Sequence, residues 1–148
     1  MSVDRSYVTR NNNERARLAA LVARASDSDL ARPLPAGWTV AAVLGHLAFW
    51  DQRILVLLDG WEKGTPPPGY HEEDTDWIND AGKPFLLAPP PRQAAGLAVA
   101  IAEAVDRKVE TLPDDLVARN AAGGSPLNLD RAEHRRQHLD EIESVLRR

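Results

Sequence analysis

Residues 39–60 read TVAAVLGHLAFWDQRILVLLDG, and this stretch decides the fold. It contains no proline, and Val40, Val43, Leu44, Leu47, Ile54, Leu55 and Leu58 spread widely around a helix of 3.6 residues per turn. An apolar surface that broad predicts a well-buried helix. Thr39 stands where a side-chain oxygen can accept from the free N–H groups of the first turn. Trp38 before it and Val43 after it have hydrophobic-staple spacing, and Gly60 is the expected stop. His46, Asp51, Gln52 and Arg53 interrupt the apolar run. A bilayer core would penalise that set, so this is read as a core helix and no membrane partner is expected.

Three more long helices follow from the flanking sequence. Residues 8–25 lack Gly and Pro and are rich in good helix formers, with a stripe through Leu18, Leu21, Val22 and Ala25. Residues 27–37, punctuated by Pro33, Pro35 and Gly37, read as a connector. Pro89, Pro90 and Pro91 open a helix that runs to about Leu112, carrying Ala98, Ile101, Ala102, Val105 and Val109 at three-or-four spacing until Pro113 stops it. Residues 121–126 read as loop. The last helix is expected to begin near Asp130, with Glu133 in capping-box register, and to bury Leu139, Ile142, Val145 and Leu146. Between the second and third long helices, residues 64–70 hold Pro66, Pro67 and Pro68 and must be loop. Residues 74–86 predict a short helix bearing Trp77 and Ile78 that ends near Pro84. Four long helices without a strand make an all-α four-helix bundle, one domain over residues 1–148, the economical architecture.

Composition narrows the function. The 18 basic and 22 acidic side chains leave a net charge of −4, which argues against general affinity for nucleic-acid phosphate. With no cysteine, disulfides, thiolate ligands and a Cys nucleophile are all absent, so thiol chemistry would need an external sulfur. The polar start, Met1-Ser2-Val3-Asp4-Arg5, lacks the apolar run of a secretory signal, and the expected location is the cytoplasm.

The histidines carry the chemistry. His134 and His138, four residues apart, project from one helix face, the same face that bears Ile142 and Val145. His46 sits among Val43, Leu44 and Leu47. Three inward imidazoles on two helices can supply three nitrogens to a divalent metal and leave positions open, as a catalytic site requires. Burying them without partners would cost several kcal/mol. Three imidazoles suit zinc, nickel, copper or iron.

Gly37-Trp38-Thr39-Val40, then Leu44-Gly45-His46-Leu47-Ala48-Phe49-Trp50-Asp51, then Asp74-Thr75-Asp76-Trp77-Ile78-Asn79, and finally the pair His134-x-x-x-His138 together resemble the DinB-like superfamily. The resemblance implies a four-helix bundle of DinB-like type with a short extra helix between helices 2 and 3, often a homodimer. It also implies a divalent metal, zinc or nickel first, held by His46, His134 and His138. Better-characterised members are mycothiol-dependent maleylpyruvate isomerase and the mycothiol or bacillithiol S-transferases. The implied activity is therefore transfer or isomerisation of a small-molecule substrate with a low-molecular-weight thiol. A metal-dependent hydrolase using bound water, and a non-catalytic module that holds a metal or small ligand, are the alternatives.

Other residues are weighed around this trio. Arg53, seven residues after His46, reads first as a rim arginine paired with a surface carboxylate and second as a binder of an anionic substrate group. Phe49 and Trp50 read first as core packing and second as a pocket wall. Asn12 and Arg15 are minor candidates for the same cavity. Asp130 could orient His134, though capping is its more economical role. Asp51 lies about 140° from the His46 face and is set aside. His71, Glu141 and Glu143 are expected on solvated surfaces.

Overall fold

The computed structural model describes residues 2–147 and, among them, is all helical with no β-strand. Seven α-helices follow in order: α1 (Tyr7–Arg24), α2 (Asp27–Leu30), α3 (Val40–Glu62), α4 (Thr75–Leu87), α5 (Pro91–Thr111), α6 (Asp114–Ala122) and α7 (Ala132–Leu146). The four long helices of the sequence reading are α1, α3, α5 and α7. Cross-helix pairs fix their directions. On α3 and α7, His46 meets His138 while Asp51 meets Arg131, so numbering runs oppositely and the two are antiparallel. Arg17 reaching Asp140 and Asn11 reaching Arg131 make α1 parallel to α7.

Two apolar clusters hold the helices together. One draws Leu18 and Leu21 from α1, Leu44 and Leu47 from α3, Ala98 and Ala102 from α5, and Leu139 and Ile142 from α7. The other gathers Tyr7, Ile54, Leu58, Trp61, Val105, Val109, Leu116 and Leu127. Fully burying a leucine such as Leu44 contributes about 1.5–3 kcal/mol. Helix α3 is long and apolar enough to cross a membrane by length and composition, but most of it is buried against its neighbours.

Between the clusters lies a layer of charge. Arg135, 1% exposed, makes a two-pronged contact with Asp106, Nη1 to Oδ2 and Nη2 to Oδ1 both at 2.8 Å, and reaches Asp51 at 3.1 Å. Arg131 Nε donates to the other Asp51 oxygen at 2.9 Å, and Arg15 closes on Asp106 at 3.0 Å. Burial works against the charge of Arg135, yet its bond to Asp106 and the field of Asp51 raise its pKa above the ordinary value. The sequence reading assigned none of these residues a place here.

Several helix ends differ from expectation. Thr39 does cap α3, accepting from Ala42 N–H at 3.1 Å. The helix does not stop at Gly60, however. It runs on to Glu62, because Trp61 is buried and Gly64 (φ +100°) takes the left-handed turn. Thr65 N–H bonds back to Gly60 C=O and Gly64 N–H to Trp61 C=O, the paired bonds of a Schellman ending. The connector at 27–37 contains α2, capped by a reciprocal Ser26–Asp29 box in which Asp replaces the usual Glu. Helix α4 passes through Pro84 instead of ending there. The carbonyl that Pro84 leaves unpaired belongs to exposed Asp80, where water can serve it. Leu86, beyond the proline, packs over Gly45, where a Cβ would lie only 3.3 Å from the leucine methyl. Helix α6 lies where no element was predicted. Its Asn120 side chain both donates to and accepts from Leu127, tying down the loop before α7.

The start of α7 is the most consequential difference. No Asp130–Glu133 box forms. Asn11, from α1, accepts from Arg131 N–H at 2.7 Å and Ala132 N–H at 3.0 Å and donates to Leu129 C=O at 2.9 Å. The first helix thereby caps the last. Asp130 adds a bond from Ala132 N–H and pairs with Arg10.

Candidate metal centre

His46 occupies the middle of α3, where the helix is apolar on nearly every side, and His134 and His138 stand one turn apart on antiparallel α7. The three rings form a near-equilateral triangle with centroids 4.9, 5.0 and 4.8 Å apart, each edge-on to the others. One nitrogen from each lies within 4.8 Å of the other two, an arrangement that could hold a metal ion. Nε2 of His46 and Nε2 of His134 are 3.1 Å apart. Bonds of about 2.0–2.1 Å to a tetrahedral centre would separate two nitrogens by about 3.3 Å, so the spacing fits.

The electrostatics fit as well. Burial, with the neighbouring His138, lowers the His46 pKa to about 4. Burial, the other two rings and the cations Arg131 and Arg135 lower that of His134 to about 3. Burial also lowers His138, against an opposing pull from Glu141. All three are therefore uncharged at neutral pH, the form whose lone pairs can ligate. Nδ1 of His138 is buried without a hydrogen-bond partner, and Glu141 Oε1 stands 3.9 Å from it.

The triangle opens onto a cleft of about 980 Å³ between α3, α4 and α7. Trp38 lies 5.9 Å from the His46 ring. Trp50 lines the cleft and donates from Nε1 to Asn79 at 2.9 Å, so it walls the cavity and is not simply core packing. Arg53 also lines it, its guanidinium carbon 4.5 Å from the Tyr70 ring centre and 5.8 Å from that of Trp50. Among the described residues no carboxylate lies within 4 Å of Arg53, which corrects the expected surface ion pair. Burial, with repulsion from Arg131, lowers its pKa.

Other expectations fall away. Phe49 is 48% exposed and belongs neither to the core nor to the cleft. Asn12 and Arg15 do not line the cavity. Asn11, one position earlier, turns inward to cap α7, and Arg15 serves the charged layer. Asp130 bonds Ala132 and Arg10, not His134. Glu141 and His71 are both exposed as expected, and Glu141 also stands at the cleft. Arg131, Tyr70 and Gln137 line the cleft without having been singled out. Arg131 precedes His134 by three residues, so the helical spacing that drew attention to Arg53 could have found it.

The sequence profile of the mycothiol maleylpyruvate isomerase N-terminal domain family matches residues 12–144, from α1 to nearly the end of α7 and across all three histidines. The chain belongs to this family. The mycothiol maleylpyruvate isomerase N-terminal domain is a DinB-like superfamily domain, as the motifs around His46 and His134 implied. Neither curated proteins nor solved structures yield a match to the chain.

Proposed function

We propose that this domain is a divalent-metal-dependent enzyme that joins or isomerises small molecules with the help of a low-molecular-weight thiol. On this reading α1, α3, α5 and α7 are the four-helix bundle of DinB-like type, and His46, His134 and His138 hold the metal, zinc or nickel first. The observation that carries it is three imidazoles whose nitrogens converge within 4.8 Å at the wall of an open cleft. A divalent cation bound there would favour the thiolate form of an incoming thiol at neutral pH. The sulfur must come from outside, since the chain has no cysteine. The residues around it divide the remaining work. Burial keeps the imidazoles unprotonated, Trp38 and Trp50 supply apolar wall to the cleft, and Arg53 presents positive charge to the cavity.

The test starts from protein purified without a histidine tag. Elemental analysis should find close to one divalent metal per chain, and His138→Ala should lose it while keeping its helical circular dichroism. Metal-loaded protein should then accelerate consumption of mycothiol or bacillithiol with monobromobimane or a chlorinated dinitrobenzene. Full metal occupancy in His138→Ala would overturn the ligand assignment. Turnover of substrates that ignores every added thiol would replace the transferase with a hydrolase.

A further inference from the structure

Outside the histidine triangle, the cleft holds a second chemical feature. Arg131 is 7% exposed, with Nε bound to Asp51 and Nη1 to Asn128 C=O, while Nη2 has no partner among the described residues. Arg53, on α3, lines the same cleft, its guanidinium carbon over the Tyr70 ring and without a carboxylate of its own. The charged layer behind them sets the buried guanidiniums of Arg131 and Arg135, together with the part-exposed Arg15, against the two carboxylates of Asp51 and Asp106. One positive charge is therefore left over before Arg53 is counted. Two cations brought together in a partly desolvated cavity, each with donors unused, are unfavourable unless an anion joins them. The acidic groups that also line the cleft, Glu72, Asp76, Asp80 and Glu141, are exposed, where water and salt screen them.

We propose that Arg53 and Arg131 form an oxyanion subsite in the same cleft as the histidine triangle, taking a carboxylate or phosphonate group of the small molecule that reacts there. This deepens the substrate reading given above and rests on the cleft being a substrate site. The guanidinium of Arg53, over the Tyr70 ring, has its donors unused and can make a two-pronged contact, and Arg131 Nη2 adds a third donor. Arg53 is seven residues beyond His46 on α3, about 10 Å along the axis, and Arg131 three before His134 on α7, about 4.5 Å. The anionic group therefore sits several bonds from the atom presented to the histidines. The charged layer gives the subsite its stiffness, since Asp51 holds Arg131 in place by bonding both it and Arg135.

Benzoate, phenylphosphonate and the neutral isostere benzamide, titrated calorimetrically into metal-free and zinc-supplemented protein, test this. At least one of the two anions should bind saturably to both forms, at least about tenfold more tightly than benzamide. Arg53→Met should lose about tenfold or more of that affinity, and Arg53→Lys should retain part of it. Both variants should unfold within a few degrees of the wild-type temperature, because Arg53 has no ion pair to lose and Arg53→Met gives up only the contact with Tyr70 and Trp50. Equal binding of benzamide and the anions, or undiminished anion binding in Arg53→Met, would overturn the subsite. If the protein takes up no metal yet binds the anion through Arg53, the metal reading falls and the subsite stands.

Discussion

Helices α3 and α7 bring two polar clusters together barely a turn apart, and the two are built on opposite terms. In the charged layer every oxygen of Asp51 and Asp106 accepts a bond from an arginine, and Asp51, Asp106 and Arg135 are closed off from water. In the histidine cluster the rings meet mainly each other, one nitrogen is left without a partner, and one side faces a cleft. Among the fully buried atoms of the described residues, Arg135 Nε is the one the layer leaves without a partner. A buried polar group satisfied by its own chain serves architecture, whereas one left unsatisfied beside a cavity invites a ligand. The contrast separates residues that keep α3 and α7 in register from residues available for chemistry.

The contrast can be broken most violently from the layer. Asp106→Ala strips Arg135 of its two-pronged partner and leaves a charge stranded between two apolar clusters. A loss of about 3–5 kcal/mol is expected, read by urea denaturation. A loss below about 1 kcal/mol would mean that water reaches Arg135 and that the layer is not sealed. Asn11→Ala removes the acceptor shared by two N–H groups at the start of α7 and should cost about 1–3 kcal/mol. Because α7 bears two of the three histidines, that variant should also bind metal more weakly. Unchanged metal affinity would show that the cap and the metal centre are uncoupled.

A response to pH comes from the histidines themselves. In metal-free protein the folded-state pKa values of His46 and His134, about 4 and about 3, lie below the ordinary 6.5. The unfolded chain therefore takes up protons that the folded chain refuses. Stability is fully present above about pH 6.5 and falls as the solution is acidified toward pH 4. A melting temperature a few degrees lower at pH 5 than at pH 7 is expected, and the drop should shrink in His134→Gln. An identical drop in that variant would move the pH response elsewhere.

The two clusters also differ in how far the sequence revealed them. His134 and His138 announce themselves by an interval of four on an apolar face, and His46 by standing among Val43, Leu44 and Leu47, so local periodicity was enough. The layer has no such local mark. Arg135 bonds carboxylates 29 and 84 positions away in the chain, and an unpartnered charge in a sequence reads as a solvated one. Asp51 was rightly kept apart from the histidines by its angle on α3, but that angle could not show what it faced instead. The long helices were legible from their stripes. Their ends were less so, because Asn11, Trp61 and Leu86 extend or cap helices through contacts between elements, which no single window of sequence contains.

The bond from Asn11 to the first turn of α7 has a consequence for the order in which the molecule matures. During synthesis His46 emerges well before His134 and His138, and the residue that will anchor their helix has been waiting since the opening segment. A nascent chain exposed only as far as α6 offers one of the three imidazoles of the cluster and an unused asparagine. The three-histidine arrangement thus arrives late and all at once, when α7 docks onto α1.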